Sequence, residues 1–280
     1  MLMKARLGSL FQTHAHSWPR RLYFRWLQAW RGVFAKRQSV HFVSLHGQRY
    51  KRVVFGDSAQ AGEVQEALDA FAGTQRFPPL IHRHENELLL GFVEGRGFDP
   101  EDSSDRARLA GFLADLWQRT PVETPRDALP FDARLAVDLD FLVQARVLDA
   151  ARADALAGRA RAEAPDTLVI GYDYVDPVAK NFLIVAEGPG RKQAPRLVAI
   201  DVESLRAGQP LGTGLAQASL RWLSPGDVPV MASQVAESGG PDIDAQLEYV
   251  RLITTVAWTK RKFLQGKTHF IRSEHFDVLL

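Results

Sequence analysis

Residues 174–184 read YVDPVAKNFLI, and this stretch is the most informative part of the sequence. Asp176 and Asn181 stand five residues apart and bracket a loop that opens directly into an apolar strand. Residues 197–203 then read LVAIDVE, so a second apolar strand also ends in acidic residues. Oxygen-bearing side chains therefore adjoin two short apolar strands.

Phosphoryl transfer needs this set of groups. One carboxylate orients the attacking hydroxyl and accepts its proton, while an amide oxygen and a second carboxylate hold Mg²⁺ against the phosphates. Mg²⁺ prefers oxygen ligands in proteins. Asn181 and Asp201 would supply those ligands.

These residues resemble the family of aminoglycoside phosphotransferases and lipopolysaccharide-core kinases, the small-molecule branch of the protein-kinase-like fold. In that family a His-Gly-Asp or His-Arg-Asp triplet precedes an Asn five residues after its Asp, and a strand then leads to Ile-Asp and a further acid. The resemblance spans roughly residues 40–223. It implies that Asp176 is catalytic, that Asn181 and Asp201 bind the metal with Glu203 as the acid beside them, and that the cofactors are ATP and Mg²⁺.

The N-terminal half adds matches to the nucleotide-binding part of the same family. Lys51 lies in a predicted strand just before a helix, where the family's phosphate-pairing Lys stands. That helix should present a Glu to the Lys, and Glu63 lies nearer to the apolar face than Glu66 at helical spacing. Residues 88–95, LLLGFVEG, resemble the strand and hinge that hold adenine, which implies a nucleotide-binding place for Glu94.

Two features depart from the family pattern. No Gly-x-Gly-x-x-Gly loop precedes Lys51, and Tyr174 stands where the family has His. An insertion in the loop would make Asp173, instead of Asp176, the catalytic residue. These departures leave open a pseudokinase that has lost catalysis.

The same residues also have plain structural interpretations. Asp176 is a suitable turn or capping residue, with Asn181 satisfying the backbone of the loop. Lys51 belongs to a charged run, Arg49, Lys51 and Arg52, of the kind that protects a sheet edge. Both interpretations remain alternatives to the catalytic one.

The composition fits an ordinary globular protein, with 46% apolar and 24% charged residues in a chain of 280. The chain has no Cys, which excludes disulfides and thiolate metal sites and fits a reducing cytoplasm. We expect neither a secretory signal nor a membrane-spanning helix, because no apolar run approaches the length required.

The pattern predicts an α+β protein with two lobes, a small mixed sheet with one helix followed by a larger and mainly helical lobe. The predicted domains are an N-terminal arm at 1–37, a nucleotide-binding lobe at 38–95 and a catalytic lobe at 96–280. Predicted strands are 40–45, 49–55, 80–84, 87–93, 169–170, 182–185 and 197–200. Predicted helices are 20–36, 59–72, 104–118, 132–163, 213–223 and 243–264, with mostly loop over 208–241.

The N-terminal arm is strongly basic. Residues 1–56 hold eleven of the 35 Lys and Arg residues, and all 33 acidic residues follow them. Residues 20–36 form an amphipathic pattern with Trp26 and Trp30 on the apolar stripe. The arm could lie on anionic lipid, pack on the acidic body as an ordinary helix, or bind nucleic acid, although no nucleic-acid motif accompanies the charge.

The sequence thus predicts an ATP- and Mg²⁺-dependent kinase of a hydroxyl on a sugar or glycolipid, such as the lipopolysaccharide core. Its expected partners are that small-molecule or glycolipid substrate and an anionic membrane surface bound through residues 1–37, with no nucleic acid. The expected location is the cytoplasm, peripherally on the inner face of the membrane. The alternative is a pseudokinase that acts as a binding or scaffold module at the membrane.

Overall fold

The computed structural model describes residues 39–186 and 195–280. The predicted arm at 1–37 and the predicted turn at 188–190 lie outside the described residues. Within the described part, no helix is both long and apolar enough to cross a membrane.

The upper lobe is a four-stranded antiparallel sheet with one helix. Its strands follow the order β1-β2-β4-β3. His46 and Gly47 both have positive φ, which suits the tight turn between the first two strands. Asp57 caps the helix by accepting a hydrogen bond from the Gln60 main-chain N–H at 2.8 Å. The elements are β1 (Ser39–Leu45), β2 (Gln48–Val54), α1 (Ser58–Ala70), β3 (Leu80–His84) and β4 (Glu87–Gly91).

The lower lobe combines helices with two small antiparallel sheets, ordered β10-β7-β6 and β5-β8-β9. The strands are β5 (Arg96–Gly97), β6 (Val122–Pro125), β7 (Thr167–Tyr174), β8 (Phe182–Val185), β9 (Arg196–Ala199) and β10 (Leu205–Pro210). The helices are α2 (Ser103–Trp117), α3 (Phe131–Gln144), α4 (Ala150–Glu163), α5 (Thr213–Ser219), α6 (Asp227–Glu237), α7 (Asp244–Leu264) and α8 (Glu274–Asp277). One apolar core joins α1 and the upper sheet to α2, α6 and β7–β9, and a second lies among α3, α4 and α7.

The α+β architecture with two lobes confirms the predicted fold class, but two helix predictions were wrong. The predicted helix over 132–163 is two helices, because Arg146 takes a positive φ of 56° and the chain reverses there. The predicted loop over 208–241 contains α6. Pro229 lies in the first turn of α6, where a missing N–H costs nothing.

The segment between the lobes is fixed by close packing. A side chain at Gly95 would come within 2.7 Å of the Ile184 carbonyl oxygen, so only glycine fits where the chain passes β8. Just beyond it, the buried Asp105 carboxylate accepts hydrogen bonds from Arg96 at 2.5 and 2.6 Å and from Arg108 at 3.0 Å. These hydrogen bonds, Arg96 foremost, lower the pKa of Asp105. The interlobe segment is thus attached to α2.

Candidate active site

Asp173, near the end of β7, is a buried anchor. Its carboxylate accepts hydrogen bonds from the Trp117 indole N–H at 3.3 Å, the Tyr174 main-chain N–H at 2.7 Å and the Gly214 main-chain N–H at 3.0 Å. Burial raises its pKa to about 6. A side chain at Gly214 would meet the Tyr174 carbonyl oxygen at 2.6 Å, so α5 begins directly against this strand. Asp173 has no exposed surface with which to reach a substrate.

Tyr174 connects the two motifs. Its hydroxyl donates a hydrogen bond to the Asp201 carbonyl oxygen at 3.1 Å. Its ring packs against Phe112 and Phe182, with centroids 5.8 and 5.0 Å apart. Burial raises its pKa well above the usual value for a phenol. The loop after β7 and the turn after β9 are therefore held together by a buried side chain.

Asp176 differs from Asp173 in its access to solvent. Its side chain is 35% exposed and forms an ion pair with Arg221. Its carbonyl oxygen accepts hydrogen bonds from the Val178 main-chain N–H at 2.8 Å and from the Asn181 side-chain amide at 3.1 Å. A fixed backbone thus presents an accessible carboxylate, whose charge Arg221 balances. Arg221 was not predicted from the sequence.

Asn181 joins Asp176 to Asp201. Its side-chain amide N–H donors reach both the Asp176 carbonyl oxygen at 3.1 Å and the Asp201 carboxylate at 3.3 Å. The Ser204 hydroxyl donates to the same Asp201 carboxylate oxygen at 3.2 Å. Because the amide nitrogen is engaged by these acceptors, the amide oxygen is the atom that Asn181 can offer to a cation.

Glu203 lies beside Asp201 in a largely buried position. Burial, followed by the hydrogen bond to the Asp201 carboxyl, raises the pKa of Glu203 to about 7. Among the described residues, no group of three or more His, Cys, Asp or Glu side chains is arranged so that it could hold a metal ion. The candidate cation site is therefore two carboxyl groups and one amide oxygen, from Asp201, Glu203 and Asn181. Oxygen ligands of this kind suit Mg²⁺.

Lys51 reaches this site from the upper lobe. Its ammonium group donates a hydrogen bond of 2.5 Å to the carbonyl oxygen of Ile200, the residue before Asp201. Its neighbour Arg52 has the opposite orientation in the pleated strand and binds Glu87. The charged run is therefore divided between the two faces of the sheet, and Lys51 occupies the face toward the lower lobe.

The two predicted nucleotide-binding acids lie at the surface. The structure pairs Glu63 with Arg206 at 3.7 Å, where the sequence predicted a pair with Lys51, and the Glu63 side chain is 70% exposed. Glu94 is 79% exposed and lies 3.7 Å from Arg49. Neither acid lies in the hydrogen-bonded network of the lower lobe.

A pair of aromatic side chains beside Lys51, Phe42 and Phe92, was not predicted from the sequence. Phe42 stands directly opposite Lys51 in the sheet register, so the two side chains share a face. Phe42 is 65% exposed and meets Phe92 edge to face, with centroids 5.8 Å apart, while the Arg49 guanidinium lies 3.8 Å from the Phe92 centroid. Exposed ring faces of this kind stack well on a planar base. The alternation of apolar residues in β1 was the available signal.

Solved structures share this architecture at low sequence identity. A macrolide 2'-phosphotransferase of type I aligns with a TM-score of 0.58 and 13% identity, over 89% of this chain and 88% of that one. A choline kinase from Streptococcus pneumoniae gives 0.56 and 12%, over 89% and 88%. An aminoglycoside phosphotransferase in a ternary complex with ADP and hygromycin B gives 0.57 and 12%, over 87% and 90%.

No family model and no curated protein sequence matches the chain. At this identity the structural likeness establishes the fold. The chain has the two-lobed fold of the protein-kinase-like phosphotransferases.

Proposed function

We propose that this chain, with its protein-kinase-like fold, is a kinase that transfers the terminal phosphate of ATP to a hydroxyl group of a sugar or glycolipid. The observation that carries the proposal is the network linking Asp176, Asn181 and Asp201, with Lys51 reaching it from the other lobe. The aligned enzymes, by their names, act on macrolides, choline and aminoglycosides, which supports a small-molecule acceptor.

Asp176 is the proposed catalytic residue. Its carboxylate orients the acceptor hydroxyl and takes its proton as the oxygen attacks the terminal phosphorus, while the bond to the bridging oxygen breaks and ADP leaves. Arg221, through its ion pair with the Asp176 carboxylate, would fix the orientation of that carboxylate toward the acceptor hydroxyl. The full burial of Asp173 argues against giving it this role.

Asn181, Asp201 and Glu203 would hold Mg²⁺ through oxygen atoms. When bound, the cation neutralises charge on the phosphate oxygens during transfer. Lys51 is placed one residue from Asp201, where its ammonium group can pair with the same phosphates. Phe42 and Phe92 would stack on the base, and the segment containing Glu94 would line its edge.

The acceptor is proposed to be a glycolipid of the lipopolysaccharide-core type, reached from the cytoplasmic face of the membrane. The basic residues at 1–37 support this location, since each Lys or Arg near an anionic surface adds about 1 kcal/mol of attraction. The same proposal divides the chain into an N-terminal arm at 1–37, a nucleotide-binding lobe at 38–95 and a catalytic lobe at 96–280. A second candidate is a pseudokinase scaffold, which the pairing of Glu63 with Arg206 favours.

A thermal-shift experiment tests the proposed activity at its first step. The full chain is heated with ATP alone, Mg²⁺ alone and both, because a ligand that binds only the folded state raises the melting temperature. A kinase should show its full shift only with both. Asp201→Asn should remove the part that depends on Mg²⁺, since an amide replaces a charged ligand of a hard cation.

The matched control is Asp242→Asn, in an exposed turn before α7. It should leave both shifts unchanged. An unchanged Mg²⁺ dependence in Asp201→Asn would remove Asp201 from the metal site. No shift with any combination would contradict the kinase proposal.

A further inference from the structure

A cavity of about 500 Å³ opens in the lower lobe beside Val175, the residue before Asp176. Its apolar lining comes mainly from α3 and α7 and includes Phe131, Leu135, Ile253 and Ala257. Three arginines from three elements also line it: Arg134 on α3, Arg206 on β10 and Arg261 on α7. The cavity therefore combines apolar surface with positive charge next to the proposed catalytic residue.

Little negative charge offsets these arginines within the cavity. Asp138 is the acidic side chain in the lining, and Lys260 already binds its carboxylate at 2.6 Å. Arg206 has Glu63 as its partner, at 3.7 Å.

The other two arginines differ from Arg206 in their contacts. Arg261 donates a hydrogen bond of 3.1 Å to Gln217, which is neutral. Within residues 39–186 and 195–280, neither Arg134 nor Arg261 forms an ion pair, and Arg134 is exposed. Two guanidinium groups thus remain available to a ligand.

Further cations surround the same place. Burial, followed by the nearby charges of Arg221 and Arg261, lowers the pKa of Lys262 to about 8. Burial also lowers the pKa of Arg261; the charge of Asp176 raises this pKa, and the charge of Arg221 lowers it. Several cations therefore lie close enough to repel one another near the accessible Asp176 carboxylate.

From this arrangement we propose that the acceptor is an anion, a sugar whose phosphate or carboxylate group binds Arg134 and Arg261 while its hydroxyl reaches Asp176. The proposal rests on the kinase function above and adds the class of acceptor. Guanidinium groups bind phosphate and carboxylate through paired N–H donors, which fixes orientation as well as charge. The apolar lining would contact the carbon faces of the sugar ring.

The same charges disfavour cationic acceptors. An amino sugar or a quaternary amine would have to enter beside Arg134, Arg206 and Arg261, and like charges repel most strongly where solvent is partly excluded. The atoms that react are those of any hydroxyl kinase: the new bond joins the hydroxyl oxygen to phosphorus, and the proton passes to Asp176. The anionic group binds and is unchanged.

Four sugars built on the same pyranose ring test the proposal: glucose 6-phosphate, glucuronate, glucose and glucosamine. Their binding to the full chain is measured by saturation-transfer NMR with ATP and Mg²⁺ present, and ADP release is followed separately. The phosphate or carboxylate sugars should bind, and the neutral and cationic ones should bind about tenfold more weakly or not at all, as loss of a charged hydrogen bond implies. Comparing glucose 6-phosphate with glucuronate distinguishes a phosphate site from a carboxylate site.

Arg134→Gln combined with Arg261→Gln should abolish the preference for anionic sugars and leave the nucleotide thermal shift unchanged. Arg161→Gln is the matched control, because Arg161 is exposed on α4 and is not part of the lining of this cavity. Equal binding of all four sugars, or a preference that survives the double substitution, would overturn the anionic acceptor while the kinase function stands. Failure to bind ATP with Mg²⁺ would instead overturn the kinase function, and the acceptor role with it.

Discussion

The two halves of the candidate site are built differently. In the lower lobe, Asp176, Asn181 and Asp201 are joined by hydrogen bonds. The buried Asp173 carboxylate fixes the main chain at the end of β7, just before Asp176. In the upper lobe, Lys51 is the group that reaches across, and the two predicted acids lie exposed in surface ion pairs.

This contrast predicts which residues tolerate substitution. Buried hydrogen-bonded groups are costly to disturb because a lost partner leaves another polar group unsatisfied. Exposed ion pairs contribute little, because water and salt screen them. We therefore expect substitutions to have large effects in the lower half of the site and graded, smaller ones in the upper half.

The largest effect is expected for Asp176→Ala. Loss of the group that orients and deprotonates the acceptor should lower the transfer rate about a thousandfold, with the melting temperature nearly unchanged because the side chain is partly exposed. Initial rates of ADP release and circular dichroism measure the two quantities. Retained activity in this variant would show that Asp176 is a turn residue and not the catalytic residue.

Asp173→Ala should act on folding instead. Three buried N–H donors lose their acceptor, which should lower the free energy of unfolding by about 3 kcal/mol. The folded pKa of Asp173, about 6, is raised above its ordinary 3.8. The folded state therefore binds the proton more tightly, and the contribution of this carboxyl to stability falls as pH rises between those values.

Urea denaturation of the wild type and Asp173→Ala at several pH values measures this contribution. The difference in free energy of unfolding between the two proteins should be largest near pH 4. It should decrease as the pH rises to 6 and stay constant above pH 6. A gap that widens with rising pH would mean that the buried carboxyl is stabilised as an anion, contrary to its environment.

Lys51→Met should give an intermediate effect in the upper half. Loss of a charged partner for the phosphates should raise the KM for ATP about tenfold to a hundredfold. Arg52→Met is the matched control, since its side chain lies on the opposite face and binds Glu87. It should lower stability and leave the KM for ATP unchanged. Equal KM values for wild type and Lys51→Met would assign Lys51 to the interlobe contact alone.

The smallest effect is expected for Glu63→Gln. Its side chain is 70% exposed and pairs with Arg206 at 3.7 Å, so kcat/KM should stay within about fivefold of wild type. The comparison variant is Glu66→Gln, which is exposed on the same helix. A much larger loss in Glu63→Gln alone would show that Glu63 leaves Arg206 and pairs with Lys51 during turnover, as the sequence predicted.

The sequence predicted best where a pattern is local. The Asp176 and Asn181 spacing and the strand before Asp201 identified neighbours in space because short hairpin strands return the chain to one place. Glu63 was less predictable, since helical spacing gives a direction but not the partner, and Arg206 is remote in the sequence. Arg221 could not be found at all, because it follows a helix whose position depends on packing.

Gly and Pro misled the helix predictions for a related reason. Proline disrupts a helix only beyond the first turn of that helix, and Pro229 lies within the first turn of α6. The position of a proline relative to the start of the helix therefore decides its effect. The break between α3 and α4 at Arg146 contains no Gly or Pro, and the positive φ of Arg146 in the structure identifies it. Local composition thus indicates where a helix can end, while tertiary packing decides where it does.

Tyr174 bears on how related chains are recognised from sequence. Its hydroxyl makes the hydrogen bond to the Asp201 carbonyl oxygen from within an aromatic cluster, and a smaller ring there would lose packing against Phe112 and Phe182. A His at this position would therefore leave unfilled space in the core, which costs stability. A search pattern that demands His at this position passes over chains with such a tyrosine, whereas one that accepts any ring with a hydrogen-bond donor retains them.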